Sequence, residues 1–136
     1  MAEFIIKAPE EMALAAKEIV SLAALKSIFF LYGPLGSGKT TLVKALGRLM
    51  EVEDSISSPT FSLVNEYRHP KGLIYHIDLY RLDSLDEAIN IGIEEYLYQP
   101  DICLIEWPEI IESIAPAHCK IHIENIDKST RKVIFS

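Results

Sequence analysis

Apolar residues along this chain fall into short unbroken runs and longer periodic stripes, and the two patterns alternate. Ile28-Phe29-Phe30-Leu31-Tyr32 and Ile102-Cys103-Leu104-Ile105 are continuous runs of strand length, as expected of strands covered on both faces. Phe4-Ile5-Ile6 predicts a short opening strand. Met12, Ala15, Ala16, Ile19, Leu22 and Ala23 then recur at helical spacing behind Pro9-Glu10-Glu11, where an early proline and two acids suit a helix start. Leu42, Val43, Leu46, Leu49 and Met50 form a second helical stripe. Glu51 to Pro59 is polar and expected to be mobile. Phe61 to Tyr67 and Leu73 to Asp78 predict two strands joined by Arg68-His69-Pro70-Lys71-Gly72 as an antiparallel hairpin. Ser84-Leu85-Asp86-Glu87 has capping-box spacing, so a helix is expected after it. Asp101 to Glu106 is a further strand, stopped by Trp107-Pro108-Glu109. A short helix near Glu109 to Ile114 and two strands, Cys119 to Glu124 and Lys132 to Phe135, close the pattern.

One junction between a strand and a helix carries chemistry. Gly33-Pro34-Leu35-Gly36-Ser37-Gly38-Lys39-Thr40 follows the apolar run at Ile28 and opens the helical stripe from Thr41, the placement a phosphate-binding loop requires. Gly33 and Gly38 permit backbone angles and close approach that a side chain would block, so successive N–H groups turn toward phosphate oxygens. The helix start adds its unpaired N–H groups and the positive end of its dipole. Lys39 is a compact charge for the β- and γ-phosphates, and the Thr40 hydroxyl suits Mg²⁺, which prefers oxygen ligands. Binding of a nucleoside triphosphate is the expectation.

Strands and helices alternating around such a loop predict an α/β protein, a three-layer P-loop NTPase sandwich with a mixed, mainly parallel central sheet. Two connections are too short to cross over a helix, which makes part of the sheet antiparallel. With 136 residues, 49% of them hydrophobic, a single nucleotide-binding domain over residues 1–136 is expected. No internal repeat or low-complexity tract interrupts it.

The formal net charge of −7 opposes unaided binding to a polyphosphate backbone, so a nucleic-acid role needs a partner. The opening residues carry an early acid and no secretory pattern, and no apolar run approaches the ~20 residues of a membrane span. A cytoplasmic location is expected. Two cysteines are too few for a disulfide framework, and Cys103 reads as a small core residue.

A Mg-nucleotide calls for a carboxylate at the C-terminal end of a strand beside the loop. Asp78 and Glu106 each end an apolar strand abruptly, and the residues alone leave open which of them touches the metal. His118, Cys119 and His122 do not make a metal site, because alternation along a strand puts Cys119 on the opposite face from the two histidines. Tyr67, Tyr75, Tyr80, Tyr96 and Tyr98 are scattered without interleaved basic residues, as half-buried packing groups rather than a base-stacking platform.

Four segments in order, Leu35-Gly36-Ser37-Gly38-Lys39-Thr40-Thr41, Ser58-Pro59-Thr60-Phe61-Ser62-Leu63-Val64, Tyr75-His76-Ile77-Asp78-Leu79-Tyr80-Arg81-Leu82 and Leu104-Ile105-Glu106-Trp107-Pro108-Glu109, resemble the bacterial TsaE family, also called YjeE. The likeness spans nearly the whole chain, and Ser-Pro-Thr, His-x-Asp-x-Tyr-Arg and Glu-Trp-Pro make it specific. It implies an Mg-dependent ATPase that joins TsaB and TsaD in threonylcarbamoyladenosine modification of tRNA. The transfer itself belongs to the partner, and tRNA is met only through the complex. On this resemblance Thr40 and Glu106 are the Mg²⁺ residues, Asp78 lies near the terminal phosphate, and Glu11 and Arg131 contact base or sugar. Ser58 to Thr60 correspond to a switch-like segment and Trp107 to an aromatic beside the metal acid.

The candidate catalytic residues are therefore Lys39, Asp78 and Glu106. The candidate ATP contacts are Glu11, Gly33, Gly36, Ser37, Gly38, Lys39, Thr40, Thr41, Asp78 and Arg131. Pro34 and Ser37 stand where the family more often has an acid and alanine, and Met12-Ala13 replaces a threonine common in its first helix; the loop substitutions are ordinary for NTPases and leave nucleotide binding intact.

Three rivals share the loop. A small-molecule kinase needs arginines over the transferring phosphate and a lid, whereas the chain has only Arg48, Arg68, Arg81 and Arg131. A GTP switch needs a guanine-reading element, and Asn125-Ile126-Asp127-Lys128 has its residue types in the wrong order. A nucleotide-gated interaction module without turnover would keep Lys39 and Thr40 but could dispense with Asp78 and Glu106, so the two acids argue for hydrolysis.

Overall fold

A computed structural model describes residues 2–34, 36–56 and 63–136. Seven strands, β1 (Ala2–Ile6), β2 (Ile28–Tyr32), β3 (Val64–His69), β4 (Gly72–Asp78), β5 (Ile102–Glu106), β6 (Cys119–Asn125) and β7 (Arg131–Phe135), form one sheet in the order β1-β7-β6-β2-β5-β4-β3. The four central strands run parallel, and the antiparallel pairs β1–β7, β7–β6 and β4–β3 occupy the flanks. This is the mixed, mainly parallel sheet that the short connections require. β5 is buried along its whole length and β2 at four of its five residues, in keeping with their unbroken apolar runs.

Helices α1 (Ala13–Ala23) and α2 (Lys39–Leu49) cover one face, with Ala15, Ala16, Ile19, Leu42, Val43 and Leu46 packed against Phe29, Leu31, Leu104 and Ile121. The other face carries α3 (Leu85–Asn90), α4 (Ile93–Leu97) and a 3-10 turn over Pro108–Ile114. Ala88, Ile93, Leu97 and Ile111 meet Phe30, Ile77, Cys103 and Ile105 there. The result is the three-layer α/β sandwich. Cys103 lies wholly inside it, and burial pushes its thiol up to about 12, which leaves it inert at neutral pH. Among the described residues no helix is long and apolar enough to cross a membrane.

Several boundaries differ from the sequence reading. The hairpin turn shrinks to Pro70-Lys71, because His69 pairs with Gly72; Gly72 sits at φ 150° with the Asp101 carboxylate where a Cβ would stand. Residues 61 and 62 of the predicted third strand, and the switch-like Ser58 to Thr60, lie outside the described residues. Helix α4 was not anticipated, since Gly92 at φ 85° breaks the stripe after α3 and restarts it for barely a turn. Ser84 Oγ accepts from the Glu87 N–H at 3.2 Å, but Glu87 reaches back to Asp83 N–H rather than to Ser84. Pro9–Met12 and Pro108–Ile114 are 3-10 turns, each led by a proline that lacks the N–H an α-helix would use.

Candidate functional site

The phosphate-type loop leaves the end of β2 and enters α2. A Cβ on Gly33 would stand 2.7 Å from Ser37 Oγ and 2.9 Å from the Ile123 carbonyl oxygen, so the loop closes there only with glycine. Gly36 (φ 77°) and Gly38 (φ 110°) take left-handed angles that side chains resist. Ser37 N–H turns back to the Pro34 carbonyl at 3.1 Å. Gly38 precedes α2 without a side-chain cap, so no capping side chain stands at the start of this 11-residue helix, the end at which helices receive anions. Lys39, Thr40 and Thr41 form its first turn. Leu35 lies outside the described residues.

Parallel pairing then gathers the acids. Asp78 is the register partner of Glu106, which is the register partner of Leu31 at the end of β2, so both carboxylates lie on one face at one end of adjacent strands. Lys39 Nζ donates to the Gly33 carbonyl at 2.8 Å, lies 3.5 Å from Glu106 Oε1 and sits 4.6 Å from the centroid of the Trp107 ring. The Glu106 Oε2 atom meets His76 Nε2 at 2.5 Å. Lys39 and Glu106 are only 6% and 5% exposed, and His76 is fully buried.

The two acids are driven in opposite directions. Burial pushes the Glu106 carboxyl up, yet hydrogen bonding and charge from His76, then Lys39, outweigh it and hold the group below the ordinary carboxylate range. Burial also pushes Asp78 up, with the Glu106 charge adding to it. The hydrogen bond from Tyr80 N–H at 2.9 Å, His76 and Lys39 offset this in part.

Trp107 stands at φ 55°, ψ 57°, a left-handed conformation that costs a bulky residue about 1–3 kcal/mol. Its ring is held by Tyr80, centroid to centroid 5.0 Å, and lies against Lys39.

The two residues assigned to base or sugar are placed differently. Arg131 opens β7 and donates from Nε to the Ser37 carbonyl at 3.1 Å and from an Nη to the Gly36 carbonyl at 3.5 Å. Glu11 lies in the 3-10 turn of Pro9–Met12 and accepts from Lys7 N–H at 2.8 Å. Its neighbour Met12 approaches the loop, with Cε 3.2 Å from where a Gly38 Cβ would be. Lys39, Asp78, Glu106 and the loop glycines are thus brought together and Arg131 touches the loop's outer carbonyls, whereas the described contact of Glu11 is with Lys7 and it is Met12 that lies against the loop.

His76 is the residue the sequence reading missed as part of this cluster. Strand alternation places Ile74, His76 and Asp78 on the face that carries Glu106, and a histidine two residues before a strand-end acid was the available signal. His118 stacks on Phe30 at 4.2 Å and His122 on Tyr32 at 4.6 Å, while Cys119 belongs to the core on the other face. Tyr75 packs edge-on against Tyr96 at 5.2 Å and Tyr67 is buried. Tyr80 and Tyr98, at 60% and 68% exposed, are not the half-buried groups expected.

No group of three or more His, Cys, Asp or Glu among the described residues forms a metal site by itself. One or two carboxylates beside a phosphate loop match the donor set of Mg²⁺, which completes its shell with phosphate oxygens and water. The residues present fit that ion.

Comparison with known proteins agrees over nearly the full length. The family model for "Threonylcarbamoyl adenosine biosynthesis protein TsaE" matches residues 6–133. A protein of Aquifex aeolicus named "tRNA threonylcarbamoyladenosine biosynthesis protein TsaE" is 38% identical over 133 residues, covering 96% of this chain and 92% of its own. One of the same name from Bacillus subtilis is 33% identical over 129 residues, covering 94% and 80%. The crystal structure of Bacillus subtilis YdiB superposes with a TM-score of 0.73 at 28% identity, covering 98% of this chain and 83% of that one. A chain matched over this span, with the loop, both strand-end acids and the mixed sheet in place, belongs to the TsaE family of threonylcarbamoyl adenosine biosynthesis proteins.

Proposed function

We propose that this chain is an Mg-dependent ATPase that works with TsaB and TsaD in threonylcarbamoyladenosine modification of tRNA, slow alone and stimulated by those partners. The observation that carries the reading is the in-register pair Asp78 and Glu106 beside Lys39, at the mouth of a glycine loop that opens a helix. A module that only bound nucleotide would need the loop and the lysine. It could dispense with two carboxylates whose proton affinities are shifted in opposite directions.

The residues divide the work according to their surroundings. The loop N–H groups and the α2 start bind the phosphates, and Lys39 exchanges the Gly33 carbonyl and Glu106 for β- and γ-phosphate oxygens. Glu106, kept ionised by His76 and Lys39, and Thr40 would hold Mg²⁺, which offsets charge on the transferring phosphoryl group when bound with ATP. Asp78, with its proton affinity raised, is suited to orient the attacking water and accept its proton. The net charge of −7 leaves tRNA contact to the partners.

Incubation of the pure chain with Mg-ATP and candidate small acceptors, followed by separation of products, tests the reaction class. ADP and inorganic phosphate without a phosphorylated acceptor is the expected result. A phosphorylated acceptor would replace this reading with a kinase.

A further inference from the structure

Arg131 lies 94 residues from Ser37 in sequence, yet its guanidinium is committed to backbone carbonyls on two segments. Nε donates to the Ser37 carbonyl at 3.1 Å and one terminal nitrogen to that of Gly36 at 3.5 Å. The other terminal nitrogen donates to Asp127 at 2.9 Å and Thr130 at 3.2 Å. A guanidinium has five N–H groups, and these bonds to backbone carbonyls engage four of them.

The far anchor is itself fixed. Asp127 Oδ1 accepts from Ser129 N–H at 2.9 Å and Thr130 N–H at 2.8 Å, and Ile126 N–H closes on the Thr130 carbonyl at 3.0 Å. Arg131 therefore joins a braced β6–β7 turn to the back of the phosphate loop.

We infer that Arg131 is a positioning residue: it clamps the Gly36 and Ser37 carbonyls and so holds the phosphate loop in its binding shape, acting on the phosphates through the loop. A peptide unit is planar and trans, so its C=O and N–H point in opposite directions. Fixing the Ser37 carbonyl outward on the guanidinium fixes the Gly38 N–H on the opposite side. The charge-assisted bond also polarises that peptide and makes its N–H a stronger donor. Gly36 and Gly38, both at left-handed angles, are the residues whose freedom most needs such a restraint.

The nucleotide arm of this inference rests on the ATPase reading, whereas its effect on the empty loop does not. Two probes separate them. Backbone amide exchange over residues 36–40 of the nucleotide-free full chain should speed up about tenfold or more in Arg131→Ala, and nearly as much in Arg131→Lys, since an ammonium cannot span four carbonyls. Calorimetric titration with Mg-ATP and with Mg-tripolyphosphate, which has neither base nor sugar, should show both weakened by a similar factor of about ten.

Should the variants fail to fold, the Arg131 Nε–H resonance of the wild-type chain decides: it should exchange slowly with water before ATP is added and persist afterwards. Unaltered loop exchange in a folded variant would overturn the clamp. So would a loss of ATP affinity with tripolyphosphate unaffected, or a fast-exchanging wild-type Nε–H. If the wild-type chain binds neither ligand, the ATPase reading falls and the exchange rates alone decide the clamp.

Discussion

Replacing His76 with Ala should unsettle Glu106 more than it disturbs packing. The exchange removes the 2.5 Å partner of a carboxylate that is 5% exposed, leaving Lys39 Nζ at 3.5 Å as its counter-charge. A hydrogen bond to a charged group contributes about 1.5–3 kcal/mol, and removing one member of a buried pair costs about 3–5 kcal/mol. Because Lys39 stays, ~3 kcal/mol is the expected loss. At ~2.1 cal/mol/K of unfolding entropy per residue, 136 residues convert this to a Tm lower by ~10 °C.

Thermal unfolding of the wild type, His76→Ala, Glu106→Gln and the double variant gives the coupling directly, with ~2 kcal/mol expected. The pH dependence supplies an independent sign. In the wild type the folded pKa of Glu106 lies below its ordinary 4.5, so its stabilising contribution is present above that value and is lost as pH falls through the folded pKa. Without His76, burial dominates and the folded pKa rises above 4.5. The ionised form then opposes folding at neutral pH, and stability returns as pH drops toward the unfolded value. Relative to the double variant, which has no carboxyl to titrate there, His76→Ala should therefore gain stability between pH 7 and pH 5. Additive effects within about 0.5 kcal/mol, together with parallel pH profiles, would refute the pairing.

Three further outcomes follow from the same geometry. Gly33→Ala should weaken Mg-ATP binding at least about tenfold by calorimetry, because the new methyl meets a backbone oxygen at 2.9 Å that cannot rotate away. Asp78→Asn should raise the ligand-free Tm at pH 7 by ~1–3 °C while stopping hydrolysis, since it removes a carboxylate whose raised pKa opposes folding above its ordinary 3.8 and keeps the oxygen that accepts from Tyr80. Trp107 is the sole tryptophan and lies under the Lys39 ammonium, so Mg-ATP should shift its emission as Lys39 moves to phosphate; a titration in Lys39→Ala should leave the emission flat.

The parts of this site legible in the sequence are those where backbone geometry or desolvation restricts the residue type. Gly33, Gly38 and Lys39 stand in fixed order because a loop that turns this tightly from strand to helix has no room for a side chain at Gly33 and takes a left-handed angle at Gly38, and Asp78 and Glu106 stand out because acids seldom end apolar strands without a purpose. What stayed hidden depends on register and on distant segments meeting. The contact of His76 with Glu106 needs the β4–β5 alignment, and that of Arg131 with Ser37 needs β7 to lie near the loop. Local spacing encodes neither. Helix α4 was missed because Gly92 leaves each half too short to show a period, and Glu87 reached Asp83 instead of Ser84 because the box spacing fixes the cap and not its return bond.

The central claim is hydrolysis by a site that Lys39, Asp78 and Glu106 complete. Phosphate release from Mg-ATP, followed with and without a TsaB–TsaD assembly for the wild type, Lys39→Ala and Glu106→Ala, tests it most directly. The account predicts slow release by the wild type alone and stimulation by the assembly. It also predicts no release above background from Lys39→Ala, and a loss in Glu106→Ala of about 100-fold or more with nucleotide binding largely kept. Wild-type turnover indifferent to the assembly, or variants that hydrolyse ATP at the wild-type rate, would contradict it.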